Sequence, residues 1–183
     1  MKKRYVLPLL LLLLVAQTGC EADLDNDYEA PEDQPVLFEY RHVNHAWGYA
    51  EQGWLINARG DVRRYNLPEN YIIPDSSGYI SLEGLSQNLS QCDSSIQYIG
   101  AKDLEYYSGL ISGASSGAIG KAENIAADAG SSVLSCYLYD PVKDMYQYVF
   151  LASSGDWQQS NDAPEAEILV DWMRSLGVFW LEL

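Results

Sequence analysis

The sequence predicts an α+β domain: an antiparallel sheet of about four to six strands with about three helices packed on one face. Three observations point there. Runs rich in aromatic and β-branched residues come in neighbouring pairs around short turns, the pattern of hairpins. Three stretches carry apolar residues at helical spacing behind a capping residue. No regular alternation of strand and helix recurs, which argues against the parallel sheet of a βαβ protein.

Val36 to His42 alternates, with Val36, Phe38 and Tyr40 on one side and Glu39 and Arg41 on the other, and reads as a strand. Gly53–Asn57 and Asp61–Tyr65 flank the turn Asn57-Ala58-Arg59-Gly60 and read as a hairpin. Tyr71 to Asp75, broken by Pro74, is loop or edge. Ser81 caps a helix running to about Gln91, with Leu82, Leu85 and Leu89 as its stripe. Ile96 to Ile99 is a short strand, and Asp103 caps a second helix with Leu104, Tyr107, Leu110 and Ile111 inward. The small residues from Ser112 to Gly130 read as a loop with a helical turn near Lys121 to Ala127. Ser132–Tyr139 and Met145–Ala152 form the clearest hairpin, with Leu134, Cys136 and Leu138 turned towards a covering helix. Asp162 or Asn161 caps the last helix, Pro164 opens it and Gly177 ends it; Val178 to Leu183 returns as a final strand.

The chain has 183 residues and a formal net charge of −15. With 48% hydrophobic residues it builds a core, which excludes a disordered acidic tail. The charge argues against nucleic acid, whose phosphates must be neutralised by a binder, and against adhesion to anionic lipid by basic residues.

The leader carries the strongest signal. Lys2, Lys3 and Arg4 precede an apolar run from Val6 to Ala16, too short to span a bilayer but the right length for a secretory signal peptide. The ending Gln17-Thr18-Gly19-Cys20 resembles the lipobox of bacterial lipoproteins. That resemblance implies cleavage before Cys20 and a diacylglycerol on its thiol, with palmitate among the acyl chains. Cleavage also removes the three leader bases, so −15 becomes −18. Residues 1–19 are then a signal peptide, 20–34 an acidic tether and 35–183 a single domain. The tether holds seven acids between Glu21 and Asp33 and no base, so it self-repels and extends. By the same resemblance the protein is lipid-anchored in the cell envelope, with the outer membrane favoured.

In an oxidising compartment the remaining pair, Cys92 and Cys136, is expected to form a disulfide contributing roughly 4 kcal/mol. Gly113-Ala114-Ser115-Ser116-Gly117 matches the G-x-S-x-G pattern, but the segment before it reads as helix and both histidines lie upstream, unlike a hydrolase nucleophile elbow. Gly120-Lys121 lacks the spacing and the Ser/Thr of a phosphate loop. Asp23, Asp25 and Asp27 begin like a calcium loop, but Tyr28 stands where glycine is needed. His42 and His45, three apart in a strand and turn, point to opposite faces, and no third metal ligand is evident. Neither metal nor cofactor is therefore expected.

Arg41, His42, Asn44, His45, Trp47 and Tyr49 form the densest polar and aromatic cluster and are the candidate surface site. The expectation is a non-enzymatic module that binds a protein or glycan partner. The alternative is a small secreted hydrolase working near His42 and His45, which needs a concave pocket where a histidine meets an acid or hydroxyl.

Overall fold

A computed structural model describes residues 29–177. The chain forms an α+β fold around one open antiparallel sheet. Its strands are β1 (Phe38–Asn44), β2 (Ala50–Ile56), β3 (Asp61–Asn66), β4 (Tyr79–Ile80), β5 (Ser95–Tyr98), β6 (Glu123–Asn124), β7 (Ser131–Asp140), β8 (Met145–Gly155) and β9 (Trp157–Ser160). Three helices of ordinary length, α1 (Leu82–Ser90), α2 (Ala101–Gly109) and α4 (Pro164–Ser175), are joined by the short α3 (Ile111–Ser115). The strand order is β5-β3-β2-β1-β7-β8-β9-β6, with β4 pairing β8 beside that path. Among the described residues no helix is long and apolar enough to cross a membrane.

The two hairpins stand where the alternation placed them. In the first, Asn57 Oδ1 accepts from the Arg59 and Asp61 amides at 3.0 and 2.9 Å, and Gly60 takes a φ of +86° that favours glycine. The β7–β8 hairpin joins the first by laying β7 against β1, with Phe38 opposite Cys136 and Tyr40 opposite Leu134. The nine strands among the described residues exceed the expected four to six. The short strand expected over Ile96–Ile99 is β5; the additional β4, β6 and β9 have two to four residues, too few for a period to show, and exist because β8 pairs β4 and β9 while β9 pairs β6.

Alternation along the long strands divides the buried side chains into two clusters. The larger joins Phe38, Tyr40, Trp54, Leu134 and Cys136 to residues of α2, α3 and α4. Trp172 of α4 anchors it, edge-on to Phe38 at 4.9 Å and stacked on Tyr107 of α2 at 4.1 Å. The second joins Leu55, Tyr65, Tyr137 and Tyr146 to Leu85 of α1 and to Cys92. The helices therefore do not all share one cluster, as a one-faced packing would require.

The disulfide expectation fails for that reason. Cys92 and Cys136 are free, buried thiols. Cys136 points inward, as its alternation with Leu134 implied, but into the cluster of α2 to α4. Cys92 follows α1 in the other cluster, so the sheet lies between them. Burial pushes the Cys92 thiol up to about 12 and the Cys136 thiol higher still, so both stay protonated.

Helix starts are partly corrected. Ser81 caps α1, accepting from the Gly84 amide at 3.1 Å. Gly100 rather than Asp103 is the N-cap of α2, leaving Asp103 in its first turn. Ala163 is the N-cap of α4; Asn161 Oδ1 accepts from the Ala163 amide at 3.0 Å, and Asp162 instead accepts from Ala118 at 2.7 Å. The glycine-rich stretch holds α3, and the expected helical turn near Lys121 is β6. The Cys20 site and the strand expected over Val178–Leu183 lie outside the described residues.

Candidate functional site

The polar side of β1 is not its solvent side. Glu39, Arg41 and Val43 alternate along it and form the floor of a cleft of about 540 Å³. Residues 67–78 fold across this face. Their middle is fixed by buried Asn88 of α1, whose amide nitrogen donates to the Ile72 carbonyl at 2.7 Å and whose oxygen accepts from the Ile72 amide at 2.8 Å. An asparagine that pairs both groups of one peptide acts as a clamp, holding Tyr71 over the sheet. A turn centred on Asp75 closes the segment, with its carboxylate accepting from Ser77 and Tyr79 amides at 2.8 and 3.0 Å. Those bonds hold the Asp75 carboxyl below its ordinary range, the Tyr79 amide foremost.

Glu39 is buried, and its two oxygens are taken by two tyrosines. Tyr71 donates to Oε1 at 2.7 Å, and Tyr137 of β7 donates to Oε2 in a very short bond. Burial raises the Glu39 carboxyl above its ordinary value, opposed by those hydrogen bonds and by Arg41 nearby. Burial and the facing Glu39 push the Tyr71 and Tyr137 phenols well up, so both remain donors. Arg41 binds Glu51 Oε1 through Nε at 2.8 Å and Nη2 at 2.7 Å, and Tyr49 donates to the other Glu51 oxygen. The Arg41 guanidinium also lies 5.4 Å from the Tyr71 ring centre. Buried Tyr65 packs behind Tyr71 at 4.8 Å, and Tyr148, edge-on to Tyr137 at 5.9 Å, extends the aromatic lining. Gly53 makes room for this stack: a Cβ there would stand 2.6 Å from the Tyr65 hydroxyl and collide with the Tyr40 carbonyl.

The sequence cluster is split by the fold. Arg41 and His45 line the cleft, and Tyr49 joins it through Glu51. Trp47 stands at the β1–β2 tip, 86% exposed, beside Gly48 with a φ of +113°. Asn44 is a structural clip, accepting from the Ala46 amide at 2.8 Å and donating to the Asp128 carbonyl at 3.2 Å. His42 lies on the other face of the sheet, with Nδ1 2.8 Å from Ser132 Oγ.

That contact meets the first condition of the hydrolase alternative but not the rest. Ser132 sits inside β7, opposite His42 on one side and Ser154 on the other, so the surrounding backbone is engaged in the sheet. A nucleophile elbow instead presents free amides beside its serine. Among the described residues no carboxylate is bonded to His42 to orient it. Burial lowers the His42 pKa, which keeps the ring neutral at pH 7. In the G-x-S-x-G stretch, Ser115 and Ser116 bond to the carbonyls of Ser112 and Gly113 at 2.7 Å each, within their own helical turn. Its glycines serve packing: a Cβ on Gly113 would lie 2.6 Å from Glu165 Cγ.

Sequence reading missed Glu39, Glu51, Tyr71 and Tyr137. One signal was available: Glu39 interrupts the apolar run Val36-Leu37-Phe38-Glu39-Tyr40, and an acid among such neighbours must find a partner. Nothing local names Tyr71 and Tyr137 as those partners, at separations of 32 and 98 residues. Among the described residues no group of acidic, histidine and cysteine side chains is placed to hold a metal ion. No protein-family profile matches the chain, and comparison with curated proteins and with solved structures gives no match either.

Proposed function

We propose that this chain is a non-enzymatic binding module of the bacterial cell envelope, anchored through lipid on Cys20, whose tyrosine-walled cleft receives a glycan. The leader and acidic tether support the anchoring and the outer-membrane placement. The observation that carries the binding reading is the cleft over Glu39. Its volume suits a small oligosaccharide rather than a flat protein contact. Tyrosine rings offer faces for sugar C–H groups, and the partly exposed Arg41 and the Ser131 hydroxyl in the lining offer hydrogen bonds. Binding is favoured over catalysis because the strong polar groups already satisfy one another: both Glu39 oxygens accept from tyrosines, and Glu51 is held by Arg41 and Tyr49.

The test is an oligosaccharide array probed with the mature protein, followed by titration of the retained sugar. Tyr148→Ala should weaken binding roughly tenfold, the effect of losing about 1.4 kcal/mol of stacking, while the melting temperature reports that the fold survives. Failure of every oligosaccharide to bind would overturn the glycan reading. Anchoring is tested separately: a palmitate analogue should label the wild type and not Cys20→Ser, and unlabelled wild type would return the protein to a soluble exported product.

A further inference from the structure

The other face of the sheet carries a second, smaller pocket of about 230 Å³, separate from the tyrosine cleft. Tyr40 and Leu134 form its apolar wall, and Ser132, Ser153, Ser154 and Arg174 supply its polar edge. Arg174 stands in the last turn of α4, a position that complements the helix dipole. Among the described residues the one ion pair within 4.0 Å is Arg41 with Glu51, so Arg174 forms none with them, while it also borders a neighbouring cleft that Glu167 and Asp171 line.

The serine beneath it is set by its neighbours. Ser132 Oγ lies 2.8 Å from His42 Nδ1 and 3.3 Å from the Tyr40 hydroxyl. The Ser132 hydroxyl, able both to donate and to accept, is thus held between the His42 ring and the Tyr40 hydroxyl at the pocket wall. Ser154, paired with Ser132 across β7 and β8, adds a second hydroxyl on the same face. A planar guanidinium with hydroxyl donors around an apolar wall matches a carboxylate carried on an apolar body.

We propose that this pocket binds a small organic carboxylate, with its anionic end on Arg174 and the serine hydroxyls and its apolar body against Leu134 and Tyr40. The net negative charge of the molecule disfavours anions at long range, but at physiological salt that repulsion fades beyond about 8 Å, and the contact is made at hydrogen-bond distance. The proposal is independent of the glycan reading, since the two sites share no side chain.

The experiment titrates the mature protein with benzoate, followed by amide NMR shifts, with benzyl alcohol and inorganic phosphate as comparators. Benzoate should saturate with shifts centred on Ser132, Ser154 and Arg174, and benzyl alcohol should bind at least tenfold more weakly. Arg174→Gln should cut benzoate affinity about tenfold and Ser132→Ala severalfold, with melting temperatures showing both variants folded. Absence of saturable benzoate binding, equal affinity for the alcohol, or an unchanged Arg174→Gln variant would each overturn the proposal. Phosphate binding as tightly as benzoate would overturn the assignment of an apolar body.

Discussion

Glu39 carries a charge problem that its neighbours only partly solve. Burial raises its carboxyl above the ordinary 4.5, despite hydrogen bonds from Tyr137 and Tyr71. A carboxyl raised in the folded state makes folding bind a proton, so the stability it contributes is fully present below the unfolded value and is lost as pH rises through the folded one. Glu39→Gln is neutral throughout and should therefore gain on the wild type as pH rises from the unfolded carboxyl value towards the raised folded one. The gain is roughly 1.4 kcal/mol for each pH unit by which the folded carboxyl is raised. Paired thermal melts across that range check this; a constant gap would mean that Glu39 is not raised. The cysteines give a second expectation at this scale. With no crosslink, reductant should leave the melting temperature unchanged, and the denatured protein should titrate both thiols without prior reduction. Cys92→Ala and Cys136→Ala should each cost on the order of 1 kcal/mol by lost packing and add in the double variant within about 0.5 kcal/mol.

At the scale of elements, close approach decides more than propensity. Helix α3 contains Gly113 because Glu165 of α4 lies where a side chain would be. Gly113→Ala would ordinarily favour a helix by about 1 kcal/mol. Here the forced shift of Glu165 should reverse the sign, with a net loss of about 1–3 kcal/mol in denaturant unfolding. A stabilised variant would mean that α4 yields freely. Long elements were legible in sequence: β1 to β3, the β7–β8 hairpin, α1 and α4 all follow from period and turn chemistry. Short ones were not, because the two residues of β4 and of β6 have no period and are strands only through the partners they meet. The Asp103 expectation failed for a related reason. Helix α2 begins at Ala101, with no side-chain cap, directly after Ile99 is drawn into the core.

For the molecule as a whole, acidity sets behaviour in solution. Self-repulsion among excess acids weakens the compact state and is screened by salt, so the melting temperature should rise between about 10 and 150 mM sodium chloride. A fall would mean that attractive pairs dominate, although the described residues hold just the one between Arg41 and Glu51. The sequence by itself determined the exported, lipid-anchored expectation, the antiparallel α+β class and the inward turn of Cys136, because each depends on residues close together in the chain. Only the tertiary structure decided which face each helix covers, and with that the separation of Cys92 from Cys136. It also turned the polar side of β1 into the floor of a cleft, by laying residues 67–78 across it. Alternation fixes that Glu39 and Arg41 share a face, but a strand cannot encode what will cover that face; the cover comes from a segment about thirty residues away, held by Asn88 and by the hydroxyl of Tyr71.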